Sequence, residues 1–196
     1  MKTNQFIFTD FEKHLLNDEK PSNYFTKLLN EHNILDNYPF TMLRDLKKTE
    51  QSPQHHPEGN VWNHTMQVVD HAASRKNQSS NPRVFMWSAL LHDLGKVPAT
   101  KIKKGKITAY NHDKLGEKLA QDFLTSLGAE KNLIHEVSKM VRWHMQILYV
   151  VKNLPFAKIK SMLSEVKLED IALLSLCDRL GRGKMSPEKI AEEEKT

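Results

Sequence analysis

The sequence has almost no sulfur chemistry to offer: Cys177 is the one cysteine among 196 residues. That excludes a disulfide framework and a zinc site built from cysteines. No apolar run approaches the ~18 residues that a bilayer-spanning helix requires. The first ten residues hold one lysine and a short apolar stretch at 6–8, too little for a secretory signal. A cytoplasmic protein with no membrane partner is therefore expected. Repeats and low-complexity tracts are also missing. Hydrophobic residues make up 39% and charged residues 27%, which excludes a disordered or collagen-like chain. The length suits one domain, and we read residues 1–196 as a single one. Lys and Arg total 29 against 24 Asp and Glu, a net charge of +5 that favours anionic partners such as nucleotides or RNA. Ten histidines are many for this length, and their positions carry the information.

Helical signals dominate. Ser22 is expected to cap a helix running to about His32, and a short helix fits 40–48. Two prolines and a glycine make 51–59 a loop. A strong helix follows at 61–75, then an apolar one from Pro82 through 84–94, ended by Gly95 and Pro98. Residues 100–110 alternate about Lys104-Gly105 and predict a β-hairpin. Helices are expected at about 112–127, 130–146, 156–166, 168–180 and 187–195. The expected fold is all-α with one small hairpin.

Helical spacing then shows which polar residues face inward. Val137, Met140, Val141 and His144 share one stripe, as do Ile171, Leu174 and Asp178. His112 lines up with Gly116, Leu119 and Phe123, and His64 with Val68. His92 and Asp93 interrupt the most apolar helix, where an unpaired carboxylate would cost several kcal/mol. Inward imidazoles and carboxylates from several helices are the donor set of a metal site. Such donors suit iron, manganese, zinc, nickel or cobalt.

The order His64, then His92-Asp93, then Asp178 resembles the HD superfamily of metal-dependent phosphohydrolases. His112 and His144 match the extra histidines of its two-metal members. Residues 25–35, 56–64, 91–96, 111–116 and 177–182 are similar to the C-terminal HD domain of bacterial tRNA nucleotidyltransferases, the CCA-adding enzymes. The resemblance covers roughly 20–185. It implies an HD helical bundle with its core at 55–185 and an N-terminal helical extension at about 20–50. The nucleotidyltransferase catalytic domain is not in these 196 residues, so CCA addition is not carried over. Leu180 replaces an expected small residue, and Asn111 stands where some relatives have histidine.

What the resemblance implies is hydrolysis of a phosphomonoester or a (cyclic) nucleotide phosphodiester. The cofactor would be two divalent ions (Fe, Mn, Ni, Co, Zn or Mg). His64, His92, Asp93 and Asp178 would hold the first. Asp93, as bridge, His112 and His144 would hold the second. Two ions about 3.5–4 Å apart lower the pKa of a shared water toward ~7, and the hydroxide attacks phosphorus. Asp93 and Lys96 are the expected catalytic residues, and Lys96, Arg179 and Arg182 the expected phosphate-binding ones. The alternative is a nucleotide- or RNA-binding HD module with little hydrolysis, which the basic segment Lys101, Lys103, Lys104 and Lys106 motivates. His71 is a candidate to orient a ligand, and His55, His56 and Glu58 to line an entrance. Trp62, Trp87 and Trp143 are expected in the core.

Overall fold

The computed structural model describes residues 4–31, 33–183 and 185–195. The elements in order are α1 (Asn4–Asn17), α2 (Pro21–Glu31), α3 (Thr41–Asp45), α4 (Val61–Ala73), α5 (Pro82–Leu91), α6 (Lys96–Ala99), β1 (Lys101–Lys103), β2 (Lys106–Thr108), α7 (His112–Ser126), α8 (Lys131–Trp143), α9 (Gln146–Val151), α10 (Ile159–Leu163), α11 (Leu168–Leu180) and α12 (Pro187–Glu194). The fold is all-α with one antiparallel hairpin. Among the described residues no helix is long and apolar enough to cross a membrane.

Helix α5 is the central element. Asn81 caps it by accepting from the Val84 amide, and Pro82 sits in its first turn, where a missing N–H costs nothing. Every residue from Val84 to Leu91 is buried. It packs against α1, α4, α8 and α11. Helix α4 starts on a similar cap, Asn60 accepting from Asn63 at 2.9 Å. Trp62, Trp87 and Trp143 are all buried, as expected. The hairpin turns through Lys104 and Gly105, at φ 50° and 74°, and pairs Ile102 with Ile107. Two successive positive φ values define the type I′ turn that matches strand twist.

Several expectations change. The helices expected from sequence begin only at Ser22, yet α1 forms before it and buries Ile7, Phe8, Phe11 and Leu15. Its Phe8 ring stacks on Trp87 at 5.1 Å. Ser22 is not a cap. It lies inside α2, and its amide and hydroxyl both donate to Asp70 of α4. The expected end at His32 lies outside the described residues. The helix expected over 130–146 stops at Trp143, and the one over 156–166 is helical only at Ile159–Leu163. Helix α5 ends at Leu91 rather than Leu94: the Leu94 amide donates to the Leu91 carbonyl and the Lys96 amide to the Asp93 carbonyl, three-residue bonds that tighten the chain into turns. Residues 92–95 pass through turns instead.

Candidate metal centre

Two of the inward histidines sit at helix ends, and this fixes their rings. The last four carbonyls of a helix lack intrahelical partners. His92 follows α5, and its Nδ1 lies 2.9 Å from the carbonyl of Ala89. His144 follows α8, and its Nδ1 lies 2.6 Å from the carbonyl of Val141. His112 opens α7 with Nδ1 2.8 Å from the carbonyl of Ala109. His64, in α4, has Nδ1 2.9 Å from Glu58 Oε1 and 3.2 Å from the carbonyl of Gly181. These partner oxygens accept, so Nδ1 donates in each ring. In the neutral ring each Nε2 is then a lone-pair donor.

All four Nε2 atoms converge on Asp93. Its Oδ2 lies 3.3 Å from His92 Nε2 and 3.7 Å from His64 Nε2. Its Oδ1 lies 3.6 Å from His112 Nε2 and 3.9 Å from His144 Nε2. Asp178, from α11, places Oδ1 3.0 Å from His64 Nε2. The six side chains are all buried. Thus His64, His92 and Asp93 form one group that could hold a metal ion, and Asp93, His112 and His144 another. Asp93 belongs to both.

The donors fit a cation on their own evidence. Asp93 Oδ2 faces the Lys96 ammonium at 2.8 Å, while His64 Nε2 and His92 Nε2 are buried without an aligned hydrogen-bond partner. Buried polar atoms are rarely left so. His112 and His144 face each other Nε2 to Nε2 at 3.2 Å, two lone pairs in contact. Imidazole nitrogen with carboxylate oxygen is a donor set for a divalent ion.

Electrostatics agree. Burial pushes His144 down to about 3, helped by His112 and His92, so it is neutral and can ligate. Burial also lowers His112. Burial opposes ionisation of Asp93, but Lys96 and then His92 outweigh it and hold the carboxyl well below its usual range. For Asp178, burial is likewise outweighed, by Arg182 and then His64. His64 runs the other way: burial lowers it, but Asp178 and Glu58 raise it above the ordinary value.

A turn and a glycine bring these elements together. A Cβ on Gly95 would lie 1.9 Å from the carbonyl oxygen of His112 and 2.6 Å from the amide of Gly116. Only a glycine lets the 92–95 turn seat against α7, which sets Asp93 beside His112.

The structure treats the expected phosphate-binding residues differently. Lys96 does not stand free: its Nζ lies 2.8 Å from Asp93 Oδ2 and donates to Gln51 Oε1 at 2.6 Å. Arg182 reaches the cluster, with Nη2 3.1 Å from Asp178 Oδ2. Arg179 does not. Its guanidinium donates to Glu193 and Ser175, because consecutive helical residues point about 100° apart. His71 is half-buried and is not among the gathered side chains. Leu180 is buried in the core.

Glu58 does more than line an entrance. Oε1 accepts from His56 Nδ1 at 2.8 Å as well as facing His64. Those two histidines outweigh its burial and hold it at about 2. Gln51 was not singled out in the sequence, because a lone glutamine in a proline-rich loop gives no signal. A cleft of about 160 Å³ reaches Lys96 between Gln51, His55 and His56 on one side and Thr100 and Thr108 on the other. A larger one, about 560 Å³, lies against 163–170 and contains none of the gathered residues.

Residues 61–182, well over half of the chain, match the HD domain family, and the chain belongs to that family. The HD domain places it in a superfamily of metal-dependent phosphohydrolases. The chain is also similar to the Multifunctional CCA protein of Azoarcus sp. (strain BH72), at 31% identity over 150 residues, 72% of this chain and 34% of that protein. The protein of the same name from Halorhodospira halophila is 29% identical over 141 residues, 68% of this chain and 32% of its own. That of Aromatoleum aromaticum is 52% identical over 46 residues, 24% of this chain and 10% of its own. The chain spans about a third or less of the length of these relatives.

Proposed function

We propose that this protein is a divalent-metal-dependent phosphohydrolase acting on a phosphomonoester or a (cyclic) nucleotide phosphodiester. The observation that supports it is the shared arrangement of four buried imidazoles. Each spends Nδ1 on a protein oxygen and turns Nε2 toward one carboxylate. Residues 1–196 act in this reading as a single HD domain, with 20–50 an N-terminal extension of a 55–185 core. His64, His92, Asp93 and Asp178 would hold one ion, and Asp93, His112 and His144 a second. Such ions supply an acidified water and positive charge toward the phosphoryl oxygens.

The chain's own residues do the rest. Asp93 presents one oxygen to each histidine group. The hydrogen bonds at Nδ1 hold the rings in place and raise their basicity. Arg182 and Lys96 are the cations beside the two carboxylates, and both can swing to phosphate oxygens. Gln51 is the neutral acceptor that keeps Lys96 in the cleft. A pure binding module has no need of orphaned Nε2 atoms, which favours the enzyme.

The direct test is metal analysis of the purified protein with a general phosphatase assay and a 2′,3′-cyclic nucleotide assay. One or two ions per chain and chelator-sensitive hydrolysis are expected. No metal, and none taken up on titration, would sink the reading. Lys96→Ala should lower kcat by roughly 10²–10³, the usual cost of a lost transition-state charge contact. Metal content should hold or rise, since Nζ at 2.8 Å competes with any cation for Asp93. An unchanged kcat would leave Lys96 as the counter-ion of Asp93 only. Glu58→Gln should weaken metal binding about 10–100-fold, as loss of an outer partner to a ligand histidine does. A calorimetric metal titration reads this; unchanged affinity removes Glu58 from the site.

A further inference from the structure

The hairpin is a cationic arm with no counter-ions of its own. Lys101, Lys103, Lys104 and Lys106 fall within eight residues that contain no Asp or Glu. All four are exposed. Among the described residues none of their side chains has a hydrogen bond or ion pair, whereas exposed Lys118 pairs with Asp122 at 2.7 Å. Lys103 stands directly opposite Lys106. Like charges in that position weaken a ribbon, and a three-residue pair has little stability to lose.

Lysines on a short edge strand do keep it from pairing with other chains. That accounts for the charge but not for its neighbours. Ile102 is 62% exposed and Tyr110 74% exposed beside the lysines. Cations that track a phosphate backbone, next to an aromatic ring free to stack, are what a single nucleic-acid strand binds.

The arm also borders the candidate metal centre. Thr100, Ile107, Thr108 and Ala109, at the base of the hairpin, wall the cleft that reaches Lys96. The carbonyl of Ala109 fixes His112. At about 160 Å³ the cleft is smaller than the ~300–1,000 Å³ of pockets that enclose a drug-sized ligand. It suits a phosphate and part of a sugar, leaving the remainder of the substrate outside, along the hairpin.

We propose that residues 101–110 dock a single-stranded nucleic acid, so that the phosphate hydrolysed is the terminal one of a strand rather than that of a free mononucleotide. The docking stands on the hairpin alone; the terminal phosphate as substrate rests on the phosphohydrolase reading above.

The experiment compares wild type with the fourfold Lys→Gln variant at 101, 103, 104 and 106, and with Tyr110→Ala. Fluorescence anisotropy follows labelled eight-nucleotide RNA and DNA strands across a salt series. Hydrolysis is measured on an eight-nucleotide strand and on a mononucleotide bearing the same phosphate. We expect wild-type kcat/KM at least tenfold higher for the strand. The fourfold variant should lose at least tenfold on the strand and stay within twofold on the mononucleotide. Its salt slope should fall by about 0.7 for each phosphate contact removed. Tyr110→Ala should weaken strand binding at least fivefold. Equal kcat/KM for both substrates, equal loss on both, or strand binding indifferent to the four lysines would overturn the proposal. So would displacement of the strand by polyglutamate at equal charge, which would point to an acidic protein instead. If neither substrate is hydrolysed, the phosphohydrolase reading fails, and anisotropy still decides the docking.

Discussion

Asp93→Asn is expected to empty the metal centre and abolish hydrolysis. The change keeps the size of the side chain but removes its charge. It also replaces one oxygen with an amide nitrogen whose hydrogens point at ring nitrogens. Oδ2 now faces His64 and His92 at 3.7 and 3.3 Å, and Oδ1 faces His112 and His144 at 3.6 and 3.9 Å. Whichever oxygen becomes nitrogen, one histidine group loses its carboxylate donor outright, and the other keeps only a neutral one. Two cations would then be under-compensated in a buried site, where charge imbalance is expensive. Metal per chain should fall to near zero and the rate by more than ~10³, beyond the cost of one transition-state contact. Lys96 loses its ion-pair partner at the same time, so the metal-free variant should also melt at lower temperature. His144→Ala is the comparison: it should spare the His64–His92–Asp178 group and lose one ion. If Asp93→Asn keeps full metal and activity, the assignment of this centre is wrong.

The second large effect belongs to a residue with no side chain to offer a metal. Gly95→Ala should destabilise the protein and disable the site together. The added carbon would sit 1.9 Å from the His112 carbonyl oxygen, with backbone on both sides and no flexible side chain to yield. Either the 92–95 turn or the first turn of α7 must move by about an ångström. Overpacking of this kind costs about 1–3 kcal/mol, and a misplacement near 1 Å can cost about 10²-fold in rate. Asp93 is two residues from the clash and His112 carries the struck oxygen. The ion held between them should therefore be lost first. Thermal melts and metal content per chain measure both effects. Gly105→Ala is the control: its added carbon meets nothing within 4 Å, although its φ of +74° carries some strain. Equal behaviour of the two variants would show that the close approach at Gly95 is relaxed elsewhere.

The centre was legible where periodicity could speak. His144 shares a stripe with Val137, Met140 and Val141, and Asp178 with Ile171 and Leu174, and all of these are buried. The dipeptide His92-Asp93 stood out because it breaks an apolar run. Loop residues gave weaker signals. Glu58 and Gln51 lie in 51–59, where no period exists, and only the folded chain shows them holding His64 and Lys96. Arg179 is adjacent to Asp178 in sequence but points about 100° away around the helix, and its guanidinium goes to Glu193. Helix α1 carries a legible period as well, since Ile7, Phe8, Phe11 and Leu15 fall on one helical face; what covers that face, Trp87 and the α2 aromatics, only the folded chain shows.

The sequence by itself determined the helical class, the hairpin and the inward direction of the six polar side chains. These follow from local geometry: 3.6 residues per turn, a Lys-Gly turn, and the cost of burying a charge. The tertiary structure decided which of those side chains meet. Asp93 stands between the two histidine groups because Gly95 lets one turn rest on α7. The ring nitrogens face inward because protein oxygens, two of them at helix ends, take the opposite nitrogen. The first relation joins elements distant along the chain, and a one-dimensional pattern records direction but not distance; of the ring bonds only that of His64 to Gly181 is long-range, the other three reaching back three residues.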